Sequence, residues 1–145
     1  MKKFKPTYSV LAVYPISEVL PFTYFGEEVG GEPNKTYNVL GTDYRVAMGS
    51  LRYRTFYGNQ TCVTCGRVGT IMRLESSCSR NGVPQPVHFN LYAVEGFKHI
   101  LMTKDHIIPV TKGGGDELSN LQTMCQPCNL KKGNKLPNEC NLVIS

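Results

Sequence analysis

LMTKDHIIPVTKGGGDELSNLQTMCQPCNLKKGN, residues 101–134, is the stretch of this sequence that decides the fold. It opens with a β-rich run, passes through a loop centred on consecutive glycines, and continues into a short apolar run at residues 120–124. A Cys-x-x-Cys turn follows, and a helix is expected from residue 129 to about residue 132. The sequence therefore predicts a strand, a loop, a second strand and a helix in that order.

Two Cys-x-x-Cys pairs indicate a metal site. The two-residue gap in each pair brings both sulfurs to one side, and four thiolates together make a closed tetrahedral site for Zn²⁺. Such a site leaves no position for water, so the zinc would be structural and would clip a larger ββα unit. A redox pair and plain buried cysteines are the alternatives. The pairs are Cys62 with Cys65 and Cys125 with Cys128, whereas Cys78 and Cys140 have no partner at metal spacing and are interpreted as free cysteines.

Asp105, His106 and Asn129 are the candidate chemical groups. The carboxylate of Asp105 and the amide carbonyl of Asn129 are hard oxygen ligands, which suit Mg²⁺ together with several waters. The neighbouring His106 can take a proton from water near neutral pH. On a regular strand the two neighbours point to opposite sides, and a bend into the loop could bring both to one cleft. Each residue alone is more often structural, so the prediction rests on the joint pattern.

Residues 101–134 closely resemble the HNH (His-Me finger) endonucleases, and more narrowly the zinc-clipped phage-type members. The resemblance rests on Asp-His, a glycine-rich loop, Asn-Leu, Cys-x-x-Cys and the following Asn-x-Lys-Lys-Gly. It implies that His106 is the general base, that Asp105 is a metal ligand, and that Asn120 holds the loop and orients His106. Asn129 would fill the third motif position, where many members have His. This H-N-N form favours Mg²⁺ or Mn²⁺ as the catalytic ion.

The resemblance also implies the fold class, which is α+β. A ββα-metal (His-Me finger) core would occupy residues 101–135, with a structural zinc site made of four cysteines. The stretch between the first cysteine pair and residue 105 would be a β-hairpin insertion that packs beside this core. In this prediction residues 1–41 are an N-terminal extension, residues 42–137 are the zinc-clipped nuclease domain, and residues 138–145 are a tail.

Local patterns predict the elements around this core. Residues 87–94 and 97–103 are expected to be the two strands of a hairpin that turns at residues 95–96, and residues 10–14 a separate strand. Thr42 has the character of a helix N-cap. Tyr44, Ala47, Met48 and Leu51 recur at helical spacing, which predicts a helix that starts at residue 42 and stops at residues 58–59.

Lysines and arginines near the motif are candidates to neutralise DNA phosphates. For any single residue, a solvated surface position is the simpler interpretation. The six candidates are Arg52, Arg54, Lys112, Lys131, Lys132 and Lys135.

The whole chain has 145 residues, 41% of them apolar, and a formal net charge of +5. This length suits one domain, and the mild basic excess permits a polyanionic partner such as DNA. The sequence has no apolar run long enough to span a bilayer and no clean signal peptide, so we expect no membrane partner and a cytoplasmic location in a bacterial or phage-infected cell. The triple glycine lacks the P-loop lysine, so no nucleotide cofactor is expected. The oligomeric state is left open.

The primary hypothesis is a metal-dependent DNA endonuclease that hydrolyses phosphodiester bonds. The alternative is a zinc-stapled DNA-binding module without nuclease activity, and a purely structural zinc protein is the third possibility.

Overall fold

The computed structural model describes residues 9–78 and 81–135. The helices and strands within them are β1 Ser9–Pro15, β2 Asn34–Val39, β3 Thr42–Ala47, α1 Leu51–Gly58, β4 Ile71–Ser76, β5 His88–Glu95, β6 Lys98–His106, β7 Leu121–Cys125 and α2 Gln126–Lys132. Five strands form one sheet in the order β1-β4-β5-β6-β7, while β2 and β3 form a separate pair. All of these pairings are antiparallel, so the described residues form a small mixed domain of helices and sheet.

The hairpin predicted from the sequence is present as β5 and β6. Its strands meet where Glu95 pairs with Lys98, so the turn lies at residues 96–97, one residue beyond the predicted residues 95–96. β6 pairs with β5 through residues 98–101 and with β7 through residues 102–106. The predicted insertion is therefore not a separate unit that packs beside the core. Its second strand is also the first strand of the β6-β7-α2 arrangement, because one strand continues through both.

The helix predicted to start at Thr42 is wrong, since residues 42–47 form β3. Burial there alternates, with Val46 and Met48 fully buried and Arg45 and Ala47 exposed. A four-residue spacing such as that of residues 44 and 48 satisfies a helical and a strand period equally, so the pattern was ambiguous. Pairing with β2 decides the outcome.

The helix α1 starts at Leu51 and ends at Gly58, as the predicted stop at residues 58–59 required. Its N-cap is Ser50, whose Oγ accepts a hydrogen bond from the Tyr53 amide at 3.2 Å. Tyr53 and Phe56 on this helix are buried in the same hydrophobic core as Phe89 of β5. The Tyr53 hydroxyl also accepts a hydrogen bond from the Phe89 amide at 2.8 Å, which fixes α1 to the sheet.

The N-terminal segment is packed into the same core. The predicted strand at residues 10–14 is present as β1, which pairs with β4 at the edge of the sheet. Val19 and Tyr37 belong to the core cluster shared with β4 and β5. The predicted boundary at residue 42 follows the two-residue turn Leu40-Gly41, where both φ angles are positive, at 50° and 88°. The described residues on either side of that boundary therefore share one core.

None of the helices among the described residues has the length and apolar character needed to cross a membrane. The predicted tail at residues 138–145, with Cys140, lies outside the described residues.

Candidate active site and cysteine cluster

Asn120 closes the long loop between β6 and β7. Its Oδ1 accepts a hydrogen bond from the Ile108 amide at 2.9 Å, and its Nδ2 donates to the Ile108 carbonyl at 3.1 Å. The same Nδ2 donates to the Gly115 carbonyl at 2.8 Å. One side chain thus joins both ends of the glycine-rich loop. The structure brings Asn120 to the loop that it was predicted to hold, but its side-chain contacts are to the backbone rather than to the ring of His106.

Gly114 allows the loop to fold tightly against its own start. A Cβ atom at this position would lie 1.7 Å from the Ile108 carbonyl oxygen and 2.9 Å from Nδ2 of Asn120. The Gly114 amide also donates to the Pro109 carbonyl at 3.0 Å. No side chain fits in this contact, so glycine is a steric requirement here.

Asp105 lies near the end of β6 in a polar but enclosed environment. Its Oδ2 accepts a hydrogen bond from Gln122 Nε2 at 3.0 Å and lies 3.1 Å from the ammonium of Lys132. The Asp105 side chain is 9% exposed and that of Lys132 is 6% exposed. The Lys132 ammonium also donates to the His106 carbonyl at 2.9 Å. A lysine predicted to contact DNA is therefore directed inward and pairs with the predicted metal ligand.

His106 follows Asp105 on β6, and the two side chains have different partners. His106 Nε2 lies 2.7 Å from Oδ1 of Asp116, a residue of the loop after the glycines. The His106 side chain is 22% exposed and that of Asp116 is 70% exposed, so the imidazole is open to solvent. The hydrogen bond with His106 lowers the pKa of Asp116, and the nearby charge of Lys104 acts in the same direction. Sequence reasoning missed Asp116, because this contact depends on the path of the loop.

Asn129 lies on α2, which packs against β6 and β7. Its Nδ2 donates to Thr103 Oγ1 at 2.8 Å, and that hydroxyl in turn donates to the Met124 carbonyl at 2.8 Å. Asn129 and Lys132 are almost one helical turn apart, and Thr103 and Asp105 are two positions apart on β6. The α2 side chains therefore reach one face of β6, where Asp105 lies.

The other predicted DNA-contacting residues differ in their surroundings. Lys112, Lys131 and Lys135 are exposed. The Arg52 guanidinium donates to Asn90 Oδ1 at 2.7 Å, and Arg54 Nε donates to the Tyr24 carbonyl at 3.1 Å. Both arginines thus have hydrogen-bond partners within the protein, in addition to any contact with DNA.

The four cysteines of the two Cys-x-x-Cys pairs form one cluster. Their Sγ atoms all lie within 4.8 Å of one another, and those of Cys65 and Cys125 are 3.7 Å apart. Sulfurs around a tetrahedral zinc, with Zn–S bonds near 2.3 Å, lie about 3.8 Å apart. The donor set and its spacing fit such an ion, so this cluster could hold a metal. Its members are Cys62, Cys65, Cys125 and Cys128.

The thiols of the cluster lie in different environments, and a basic residue that sequence reasoning missed lies beside them. Burial opposes ionisation of Cys62, but backbone amides, including that of Cys65, outweigh it and lower the pKa of Cys62 to about 7. Burial and the adjacent thiols, first of them Cys125, raise the pKa of Cys128.

Arg67 lies beside the cluster. Its Nη1 is 3.3 Å from Cys125 Sγ, and its Nε pairs with Glu95 at 2.8 Å. A bound cation would offset the charge of four thiolates, and Arg67 adds to that compensation.

Comparison with known proteins finds one similarity, in the C-terminal part of the chain. Residues 95–141 match the family model described as HNH endonuclease. The resemblance predicted from the motif is therefore confirmed. This part of the chain is similar to HNH endonucleases, which supports nuclease activity on a nucleic acid. No curated protein and no solved structure matches the chain.

Proposed function

We propose that this protein is a metal-dependent DNA endonuclease whose active site lies at the end of β6. One observation carries the proposal: β6, the following loop, β7 and α2 gather the motif residues into one region, with Lys132 bonded to both Asp105 and the His106 carbonyl. The match of residues 95–141 to the HNH endonuclease model supports the nuclease part of this proposal independently of the geometry.

Asp105 and Asn129 would hold the catalytic divalent ion, Mg²⁺ or Mn²⁺. The Asp105 carboxylate already faces a cation, the ammonium of Lys132, so its environment suits positive charge. Nδ2 of Asn129 donates to Thr103, so the amide oxygen is the atom suited to a metal. A divalent ion bound there would polarise the phosphate and stabilise its developing charge. Hard oxygen ligands favour Mg²⁺ or Mn²⁺ over softer ions.

His106 would act as the general base that takes a proton from the attacking water. His106 and Asp105 are the last two residues of β6, so the scissile phosphodiester would lie at this strand end, where the imidazole is partly exposed. Asn120 would keep the backbone of the loop fixed beside this site through its bonds to Ile108 and Gly115. The exposed Lys112, Lys131 and Lys135 are the proposed phosphate contacts, with Arg52 and Arg54 contributing from α1.

The four-cysteine cluster would bind structural Zn²⁺. Its first pair follows α1, and its second pair spans the junction of β7 and α2. A zinc ion there would tie the end of one helix to the start of the other and support the active-site elements.

A plasmid assay tests the nuclease proposal. Purified protein is incubated with supercoiled DNA and Mg²⁺ or Mn²⁺, and nicked and linear products are quantified. We expect cleavage that EDTA abolishes and that His106→Ala reduces by about 100-fold or more. His99→Ala is the matched control, because His99 lies on the same strand but contacts Arg73 instead. Asp105→Ala and Asn129→Ala should lose cleavage and retain DNA binding in a gel-shift assay.

The same assay distinguishes the alternatives. Equal cleavage by the wild type and His106→Ala would remove His106 from the mechanism. DNA binding without cleavage by any variant would favour the zinc-stapled binding module, and neither activity would favour a purely structural zinc protein.

A further inference from the structure

We infer that Asp116 is a positioning residue for the general base, which holds the His106 imidazole in one orientation and one tautomer. This inference rests on the proposed nuclease function and adds to it a residue outside the H-N-N motif. The observation behind it is the 2.7 Å contact between Asp116 Oδ1 and His106 Nε2, made across ten residues of chain.

Two contacts within the loop hold Asp116 beside the imidazole. Gly114 packs so closely against the Ile108 carbonyl that no side chain fits there. Asn120 fixes the Gly115 carbonyl, which belongs to the peptide bond leading into Asp116. The position of the Asp116 backbone is thus set on its N-terminal side by two contacts within the loop. A carboxylate on a freely moving loop would not meet the imidazole in this way.

The contact has a defined chemical consequence. An ionised carboxylate only accepts hydrogen bonds, so the neutral His106 ring must donate from Nε2–H. The tautomer that does this carries its lone pair on Nδ1, which becomes the proton acceptor. In the hydrolytic step, Nδ1 takes a proton from water, and the water oxygen forms the new bond to phosphorus. The P–O bond to the departing sugar breaks, and the sugar oxygen leaves with its electron pair and takes a proton from solvent.

Asp116 stabilises the imidazolium that this step produces without taking up the proton itself, as an oriented carboxylate does beside a catalytic histidine. The hydrogen bond with His106 and the charge of Lys104 lower the pKa of Asp116, which keeps it ionised at neutral pH.

An ordinary surface carboxylate beside a DNA site would affect DNA binding and not kcat. Its negative charge repels phosphates, so its removal should strengthen DNA binding and leave kcat unchanged. A positioning carboxylate instead contributes to kcat, because it acts on the base in the chemical step. Glu117, the next residue, is also exposed and acidic, whereas the carboxylate in contact with the His106 ring among the described residues is that of Asp116. Glu117 is therefore a matched control for the charge effect alone.

The kinetic test compares variants in plasmid cleavage with Mg²⁺. We expect Asp116→Ala to lower kcat about 10- to 100-fold with KM unchanged or decreased, and Asp116→Glu to restore part of kcat. Glu117→Ala should keep the wild-type kcat. Wild-type kcat in Asp116→Ala, or an equal loss in Glu117→Ala, would overturn the inference.

A spectroscopic test separates this inference from the nuclease proposal. The ¹⁵N resonances of the histidine rings report the tautomer, and the chain has only three histidines, so His106→Ala assigns the signal. Before any catalytic metal is added, the wild type should show the Nε2–H tautomer, and Asp116→Ala should show a mixture. If the wild type cleaves no DNA but shows this change, the nuclease proposal fails while the positioning contact stands. An identical tautomer in both proteins would overturn the inference whatever the activity.

Discussion

Lys132 shows at the scale of a single residue how the structure changes the interpretation of a sequence pattern. It stands beside Lys131 in the same helix, and both lysines have the same predicted phosphate-contacting role. In the structure Lys131 is exposed, whereas Lys132 is buried and pairs with Asp105. The two neighbours therefore have different physical roles, one at the surface and one inside the proposed active site.

The first prediction compares these two lysines. Lys132→Met leaves the Asp105 carboxylate enclosed without its cation, and we expect a loss of about 3 kcal/mol in the free energy of unfolding. Lys131→Met removes an exposed charge and should change stability by less than about 0.5 kcal/mol. Urea denaturation of both variants measures the difference. Similar values for the two would show that the Asp105–Lys132 pair adds little to the folded state.

The second prediction concerns the glycines of the loop. Gly114→Ala places a Cβ atom into the Ile108 carbonyl, so the loop must move, and we expect a loss of stability above about 2 kcal/mol together with most of the activity. Gly113→Ala meets no atom within 4 Å and carries only the cost of its left-handed φ of 91°, about 1 kcal/mol. Urea denaturation and plasmid cleavage of both variants test whether Gly114→Ala has the larger effect. A larger effect is required if the Cβ atom meets a backbone that cannot move away.

At the scale of elements, the predicted and the observed N-caps of the first helix are different residues. Ser50 caps α1, while Thr42, the predicted cap, lies exposed at the start of β3. Ser50→Ala should therefore lower the free energy of unfolding by about 1 kcal/mol, the usual contribution of a helix N-cap. Thr42→Ala should change it by less than about 0.5 kcal/mol. Urea denaturation decides between them, and a larger effect at residue 42 would contradict the strand assignment.

The elements that were predicted correctly have local signals. The hairpin of β5 and β6 has a glycine turn between two β-rich runs. The cysteine knuckle correctly indicated α2, although the helix begins inside the knuckle at Gln126, three residues before the predicted start at residue 129. The failure at residue 42 arose because Tyr44 and Met48 are compatible with both periods, and only the partner strand β2 resolves them. Long-range pairings such as β1 with β4 have no local signal at all.

The same distinction applies to the candidate site. The motif predicted Asp105, His106, Asn120 and Asn129 as site residues from residue type and spacing, and they remain predictions. The partners Asp116 and Gln122 were not predicted, because their contacts depend on the loop path and the strand register. A motif thus predicts which residues carry the chemistry but not which neighbours orient them.

At the scale of the whole molecule, the cysteine cluster joins distant parts of the chain. Cys62 and Cys65 follow α1, and Cys125 and Cys128 lie where β7 meets α2, so a metal would connect both helices to the sheet. The apparent binding free energy of a structural zinc is on the order of 10 kcal/mol, comparable with the total stability of a small domain. Removal of the metal should therefore affect the whole fold rather than one loop.

The last prediction is that the purified protein contains one zinc per chain by elemental analysis and that a strong chelator unfolds most of it, as followed by circular dichroism. Cys62→Ser should bind far less zinc, since it removes one of the four sulfur ligands. Cys78→Ser is the matched control, because Cys78 is exposed and outside the cluster. Protons compete for the thiolates, so zinc affinity must fall as the pH is lowered. A chelated protein that keeps its circular dichroism spectrum and melting temperature would show that packing of the sheet against α1 suffices without the metal.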